Sequence, residues 1–227
     1  MSKDVKILAA IAVVVIVGAL IGSSYYQKSV QNERKPTNTA TATAPTGQLV
    51  RPDSPSLGPA NAKITLVEFY DPECESCASF APIVKKILKE NEGQIRLVAR
   101  YMPLHPNSMT AATFIEAAAE QGKYWQAQEL LFQKQPEWGT KHGAPAPGPA
   151  PNINALFDGY AKELGLDLDK ASTAIKDNRF AVKIEQDRKD GVGLGVRRTP
   201  TFFVNGRELM SFGEPELRQL IDEELKK

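Results

Sequence analysis

"VEFYDPECESCASF", Val67–Phe80, holds both cysteines of the chain, Cys74 and Cys77, directly after an apolar run. That run starts further back: "KITLVEFY", Lys63–Tyr70, is short and rich in β-branched and aromatic residues, the composition of a buried strand. After the cysteines, Phe80, Ile83, Val84, Ile87 and Leu88 recur at helical spacing through "ASFAPIVKKILKENEG", which predicts a helix ending at Gly93. Both thiols therefore open a helix. "QIRLVARYM", Gln94–Met102, reads as a second strand and completes a β-α-β unit, whose strands should be parallel and whose crossover should be right-handed.

A thiol attacks a disulfide as its thiolate, and the unpaired N–H groups at a helix N-terminus favour that anion. Cys74 is placed to be the attacking thiolate. Cys77, one turn further in, suits a resolving thiol that closes a small disulfide ring. Zinc is the competing reading, yet outside the pair the chain offers only His105, His142 and carboxylates, with no second C-x-x-C. Haem attachment fails because Ala78 stands where a C-x-x-C-H motif needs histidine. A purely structural staple is weak, since so short a loop removes little entropy from the unfolded chain. No cofactor and no metal are expected.

The surrounding chain sets the frame. Its 227 residues are 42% hydrophobic and 24% charged with a formal net charge of +1, which suits a globular domain and gives no electrostatic case for nucleic acid. Residues 7–27, "ILAAIAVVVIVGALIGSSYYQ", carry no charge and as a helix would span about 30 Å of hydrocarbon. Residues 1–27 are thus expected to be a single-pass membrane anchor, a cleaved signal peptide being the alternative. Residues 28–47, with alternating Thr and Ala, read as a flexible tether, and the folded part occupies 48–227. "QLV", Gln48–Val50, is expected as a short edge strand.

From Ser108 to about Gln135 the pattern is helical and alanine-rich. "GAPAPGPAP", Gly143–Pro151, is a proline-rich loop, and further helical pattern runs to about Lys189. A helical insertion at about 106–190 follows from this. "TPTFFVNGRELM" returns to β signals with a hairpin at Asn205-Gly206, and a helix from about Glu214 to Lys227 closes the chain.

These features resemble the thioredoxin-fold thiol-disulfide oxidoreductases, and among them the DsbA-like group of bacterial envelope proteins, over roughly Gln48–Lys227. The resemblance implies an α/β thioredoxin fold with an inserted helical domain. Glu68, six residues before Cys74, matches the position of the family's buried carboxylate, which would handle the proton of Cys77; a strand residue facing solvent is the other reading. "GVRRTPTFFVNG", Gly195–Gly206, looks like the family's cis-proline loop, with Pro200 beside the cysteines and the backbone of Thr199 free to pair with a substrate peptide. A trans proline opening a strand is the bland alternative. "YMPLHPNSMTAATFIEAAAEQGKYWQAQELLFQKQ" is similar to the stretch entering the family's inserted helices. His105 is read as a loop or capping residue, and Trp125, Phe132 and Trp138 as core.

The resemblance implies an enzyme that exchanges disulfides with protein substrates, recharged by a redox partner. It would be monomeric, held at the cell inner membrane and facing the periplasm or cell exterior. The alternative is a redox-inert peptide-binding or chaperone module on the same fold. One departure bears on direction: Glu75-Ser76 stands between the cysteines, where strongly oxidising members carry proline and histidine. Asp71, Glu73 and Glu75 are expected to crowd Cys74 and oppose its thiolate, giving a less oxidising couple, unless Arg197 and Arg198 offset them.

Overall fold

The computed structural model describes residue 44, residues 46–140 and residues 151–227. The expected membrane anchor, nearly all of the tether and most of the proline-rich loop lie outside them. Among the described residues no helix is long and apolar enough to cross a membrane.

The central strand β2, Ile64–Tyr70, is almost wholly buried, which is why its sequence is a continuous apolar run. It pairs in parallel with β3, Ile95–Tyr101, in a register that sets Tyr70 against Tyr101 and Glu68 against Ala99. β4, Thr201–Val204, lies antiparallel on the other side of β2, with Phe202 opposite Glu68. The edges are short strands: β1, Ser56–Leu57, on β3, and β5, Arg207–Glu208, on β4. The sheet order is β1-β3-β2-β4-β5. The β4–β5 turn places Asn205 at φ 47° and Gly206 at φ 87°, the left-handed pair that a two-residue hairpin requires. Asn205 also accepts a hydrogen bond from Thr65 N at 2.8 Å, tying the turn to β2.

Gln48–Val50 is not a strand. Thr46–Leu49 forms one helical turn, α1, and the edge of β3 is taken by β1 instead. The carbonyls of Gln48 and Leu49 accept hydrogen bonds from the buried Arg100 guanidinium at 2.7 and 2.8 Å, so a side chain rather than a ladder satisfies them.

The crossover helix α2, Glu75–Glu90, buries Phe80, Val84 and Ile87 against the sheet together with Leu217, Leu220 and Ile221 of the C-terminal helix. Between β3 and β4 lie five helices: α3 (Ser108–Ala119), α4 (Tyr124–Trp138), α5 (Ile153–Glu163), α6 (Leu168–Lys176) and α7 (Ala181–Gly193). The helical stretch expected as far as Gln135 is thus two helices, broken at residues 120–123 where Gly122 takes φ 74°. α3 is buried nearly all round, which its alanines permit. Phe114, Leu131, Trp138, Phe157 and Tyr160 of the insertion share a core with Tyr70 and Tyr101 of the sheet. The last helix, α8, spans Glu214–Leu225.

Candidate active site

β2 ends at Tyr70, and the turn through Asp71–Glu73 delivers Cys74 as the N-cap of α2, with extended backbone at φ −74° and ψ 120°. Its N–H donates to Asp71 O at 3.1 Å and its carbonyl accepts from Ala78 N at 3.1 Å. Both cysteines are free thiols; Cys74 is 8% exposed and Cys77 fully buried. The peptide bond between Thr199 and Pro200 is cis, and Cys74 Sγ donates to Thr199 O at 3.3 Å. The strand end, the helix start and the β4 entry loop therefore meet at one sulfur.

The two thiols are unlike. Hydrogen bonding from Cys77 is the largest influence on Cys74; burial opposes it, but the Thr199 side chain and the N–H groups of Cys77 and Ser76 add to it, and the pKa falls to about 5. Cys77 is pushed well above the ordinary thiol value by burial first, then by its bond to Cys74 and the charges of Cys74 and Glu68. Glu68, 6% exposed, rises to about 8, chiefly through burial and then through the charge of Cys74. It faces the insertion rather than bulk water, at the wall of a cavity of about 280 Å³ between α2 and α4 lined by Ala81, Leu88, Trp125 and Phe132. Cys74 thus meets Cys77 and the Thr199-Pro200 loop, and Glu68 lies within electrostatic reach of both cysteines.

The expected acidic crowding of Cys74 is corrected by the hydrogen bonds. Asp71, fully buried, accepts from Glu73 N and Ser108 Oγ on one oxygen and from Leu104 N and His105 on the other. Glu73 turns to Asn107 and Thr140, accepting from Asn107 N at 2.6 Å and from Thr140 N at 2.8 Å. Glu75 is exposed. Both buried carboxylates are thus directed away from the sulfur. The arginines do not supply the offset either: Arg197 donates to the carbonyls of Val192 and Val196, and Arg198 is exposed.

His105 is a neighbour that pattern reading set aside. Its Nδ1 lies 2.7 Å from Asp71 Oδ2. The signal for it was the β-α-β unit, because parallel strands in the register Tyr70 to Tyr101 bring the loops after both strands to the same sheet edge. Trp138 is core, 1% exposed, with its indole N–H donating to Leu131 O at 3.0 Å. Among the described residues no cluster of three or more His, Cys, Asp or Glu could hold a metal.

The sequence matches the family described as Thioredoxin across residues 51–223. This chain belongs to the thioredoxin family. Solved structures share its fold, among them BdbD from Bacillus subtilis (oxidised), at 27% identity and a TM-score of 0.65 over 77% of this chain and 94% of that one. A thioredoxin-like oxidoreductase from Silicibacter pomeroyi DSS-3 gives 27% identity and a TM-score of 0.66 over 81% and 99%. Alpha-DsbA1 of Wolbachia pipientis, at 21% identity and a TM-score of 0.65 over 77% and 92%, adds agreement in fold alone.

The resemblance to DsbA-like proteins expected from the sequence is thus met by the fold. Two curated relatives are Na(+)/H(+) antiporters. NhaA 1 of Salinispora arenicola is 40% identical over 154 residues, 66% of this chain and 21% of that protein; NhaA of Herminiimonas arsenicoxydans is 34% identical over 152 residues, 67% and 22%. The chain spans about a fifth of the length of these relatives, and their name belongs to the longer proteins.

Proposed function

We propose that this chain is a protein thiol-disulfide oxidoreductase of the DsbA-like kind. The observation that carries this reading is the split between the thiols: Cys74 lowered to about 5 at a helix start against Thr199, and Cys77 fully buried with its pKa raised. In the disulfide form, a substrate thiolate attacks Cys74 Sγ and breaks the bond to Cys77, which leaves as a thiolate and takes a proton from Glu68. A second substrate thiolate then attacks the substrate sulfur of the mixed disulfide, and Cys74 departs as a stabilised thiolate. The substrate loses two electrons, which end on the cysteine pair; a redox partner that accepts them restores the disulfide.

The backbone of Thr199, presented by cis-Pro200, receives the extended substrate beside Cys74. A stabilised thiolate favours the reduced pair, so the couple leans toward oxidising its substrates, against the direction that the Glu75-Ser76 dipeptide suggested. The apolar N-terminal segment fits a tether holding a monomeric domain at the outer face of the cell inner membrane.

Equilibration of the pair with glutathione buffers tests the reading. A potential less negative than about −180 mV is expected. Cys74→Ser should abolish dithiol oxidation, and Cys77→Ser should accumulate mixed disulfides with substrate. No dithiol oxidation by the native chain, with peptide binding retained in both variants, would overturn the enzyme and leave a redox-inert peptide binder.

A further inference from the structure

Asp71 joins two loops that the sequence keeps far apart. Its carbonyl accepts from Cys74 N, while its carboxylate accepts from Leu104 N at 2.6 Å and approaches the His105 ring at 2.7 Å. Asp71 is fully buried, and its bonding partners among the described residues are two further backbone N–H groups and the hydroxyl of Ser108. Of these partners only His105 can carry positive charge, and a buried carboxylate is costly without a cation or a full set of donors. The His105 side chain keeps 19% of its surface exposed, so it can exchange protons with water.

We propose that His105, clamped by Asp71, is a positioning cation for the Cys74 thiolate, so that the protonation of His105 and the redox state of the cysteine pair are coupled. The inference rests on the function proposed above, because it concerns the same sulfur. Asp71 bonds the imidazole, and two further groups that can be negative act on it through their charge: Glu73 from the loop after β2, and Cys74 at the start of α2, whose N–H donates to the Asp71 carbonyl. Burial pulls the imidazole down, but the hydrogen bond and charge of Asp71, then the charges of Cys74 and Glu73, raise it overall. Forming the Cys74–Cys77 disulfide removes one of those charges, so His105 should hold its proton less tightly in the oxidised protein. The dipeptide between the cysteines, Glu75-Ser76, offers no cation, and the loop after β3 supplies it instead.

Linkage is reciprocal, which gives two independent readouts. In the full chain, NMR titration of the His105 imidazole should give a midpoint about 0.5–1 unit higher in the dithiol than in the disulfide form. His105→Gln assigns the resonance against His142, and it should raise the Cys74 pKa, read by thiolate ultraviolet absorbance, by a similar amount. Coincident His105 midpoints in the two redox forms would overturn the proposal. So would an unmoved thiolate curve in a folded His105→Gln protein.

The wild-type titration needs no variant, and it remains informative without turnover on protein substrates. If no disulfide forms at all, Cys74→Ser supplies the uncharged comparison, so failure of the oxidoreductase reading and failure of this coupling are told apart.

Discussion

Glu68 and Asp190 expose the same fraction of their surface, 6% each, yet Glu68, the more deeply enclosed, is pushed up to about 8 while Asp190 is held down at about 2. Burial raises both. At Asp190 the rise is reversed by hydrogen bonds from Arg51 and Arg100, at 2.5 to 2.8 Å, and from Gln186 at 3.1 Å. At Glu68 no cation among the described residues answers, and the charge of Cys74 pushes the same way. Asp187 stands between the two: Arg100 Nε donates to it at 2.8 Å, yet burial still leaves it raised. Equal surface exposure therefore says little about purpose. A carboxyl fully matched by cations cannot change charge near neutral pH and serves as a fastener. One left unmatched beneath a thiolate can hold and release a proton.

The fastener is where the largest effect should fall. Arg100 is fully buried and binds Asp187, Asp190 and the carbonyls of Gln48 and Leu49, pinning α1 and α7 to β3. Arg100→Met removes the cation bonded to Asp187 and leaves Asp190 to Arg51 and Gln186, and we expect urea unfolding at pH 7 to lose about 3–5 kcal/mol of stability. The Cys74 thiolate titration of the folded variant should not move. A stable Arg100→Met protein, or a shifted thiolate curve, would break the contrast between the two carboxyls.

The converse change acts on rate. Glu68→Gln keeps the shape of the side chain but has no proton to give the departing Cys77, and formation of the mixed disulfide should slow about 10²-fold near pH 7. Rapid quench with labelled substrate reads that step directly. An unchanged rate would reduce Glu68 to a buried residue with no part in the exchange.

Much of this arrangement was open to reading along the chain, and what escaped did so for a common reason. The strands, the helix after the cysteines and the hairpin at Asn205-Gly206 are set by local composition and periodicity, which a linear pattern records. α1 was misread because the fate of the Gln48 and Leu49 carbonyls is decided by Arg100, about fifty residues away. The setting of Cys74 was misread for the same reason: Asp71 and Glu73 look like repelling neighbours in sequence, but Leu104, His105, Asn107 and Thr140 turn them aside. Sequence spacing shows where charges are, whereas their effect depends on which donors the topology brings to them.

The smallest effect, and the most discriminating, is the pH dependence of folding in the two redox forms. Cys74 is depressed from the ordinary thiol value of 9 to about 5, so its contribution to stability is complete above pH 9 and is lost as pH falls through 5. Glu68 is raised from 4.5 to about 8, so its contribution is complete below pH 4.5 and is lost as pH rises through 8. In the dithiol protein the two slopes oppose one another between pH 5 and 8, and stability should be nearly flat there. The disulfide removes the Cys74 slope and leaves that of Glu68. Stability of the dithiol form relative to the disulfide form should therefore climb with pH across this window, by about 1 kcal/mol per unit once solvent screening at Cys74 is allowed for. Cys77, raised well above 9, enters only at more alkaline pH. Denaturant unfolding of both forms at a series of pH values reads the difference, and parallel curves from pH 5 to 8 would mean that the Cys74 thiolate contributes nothing to stability in this window.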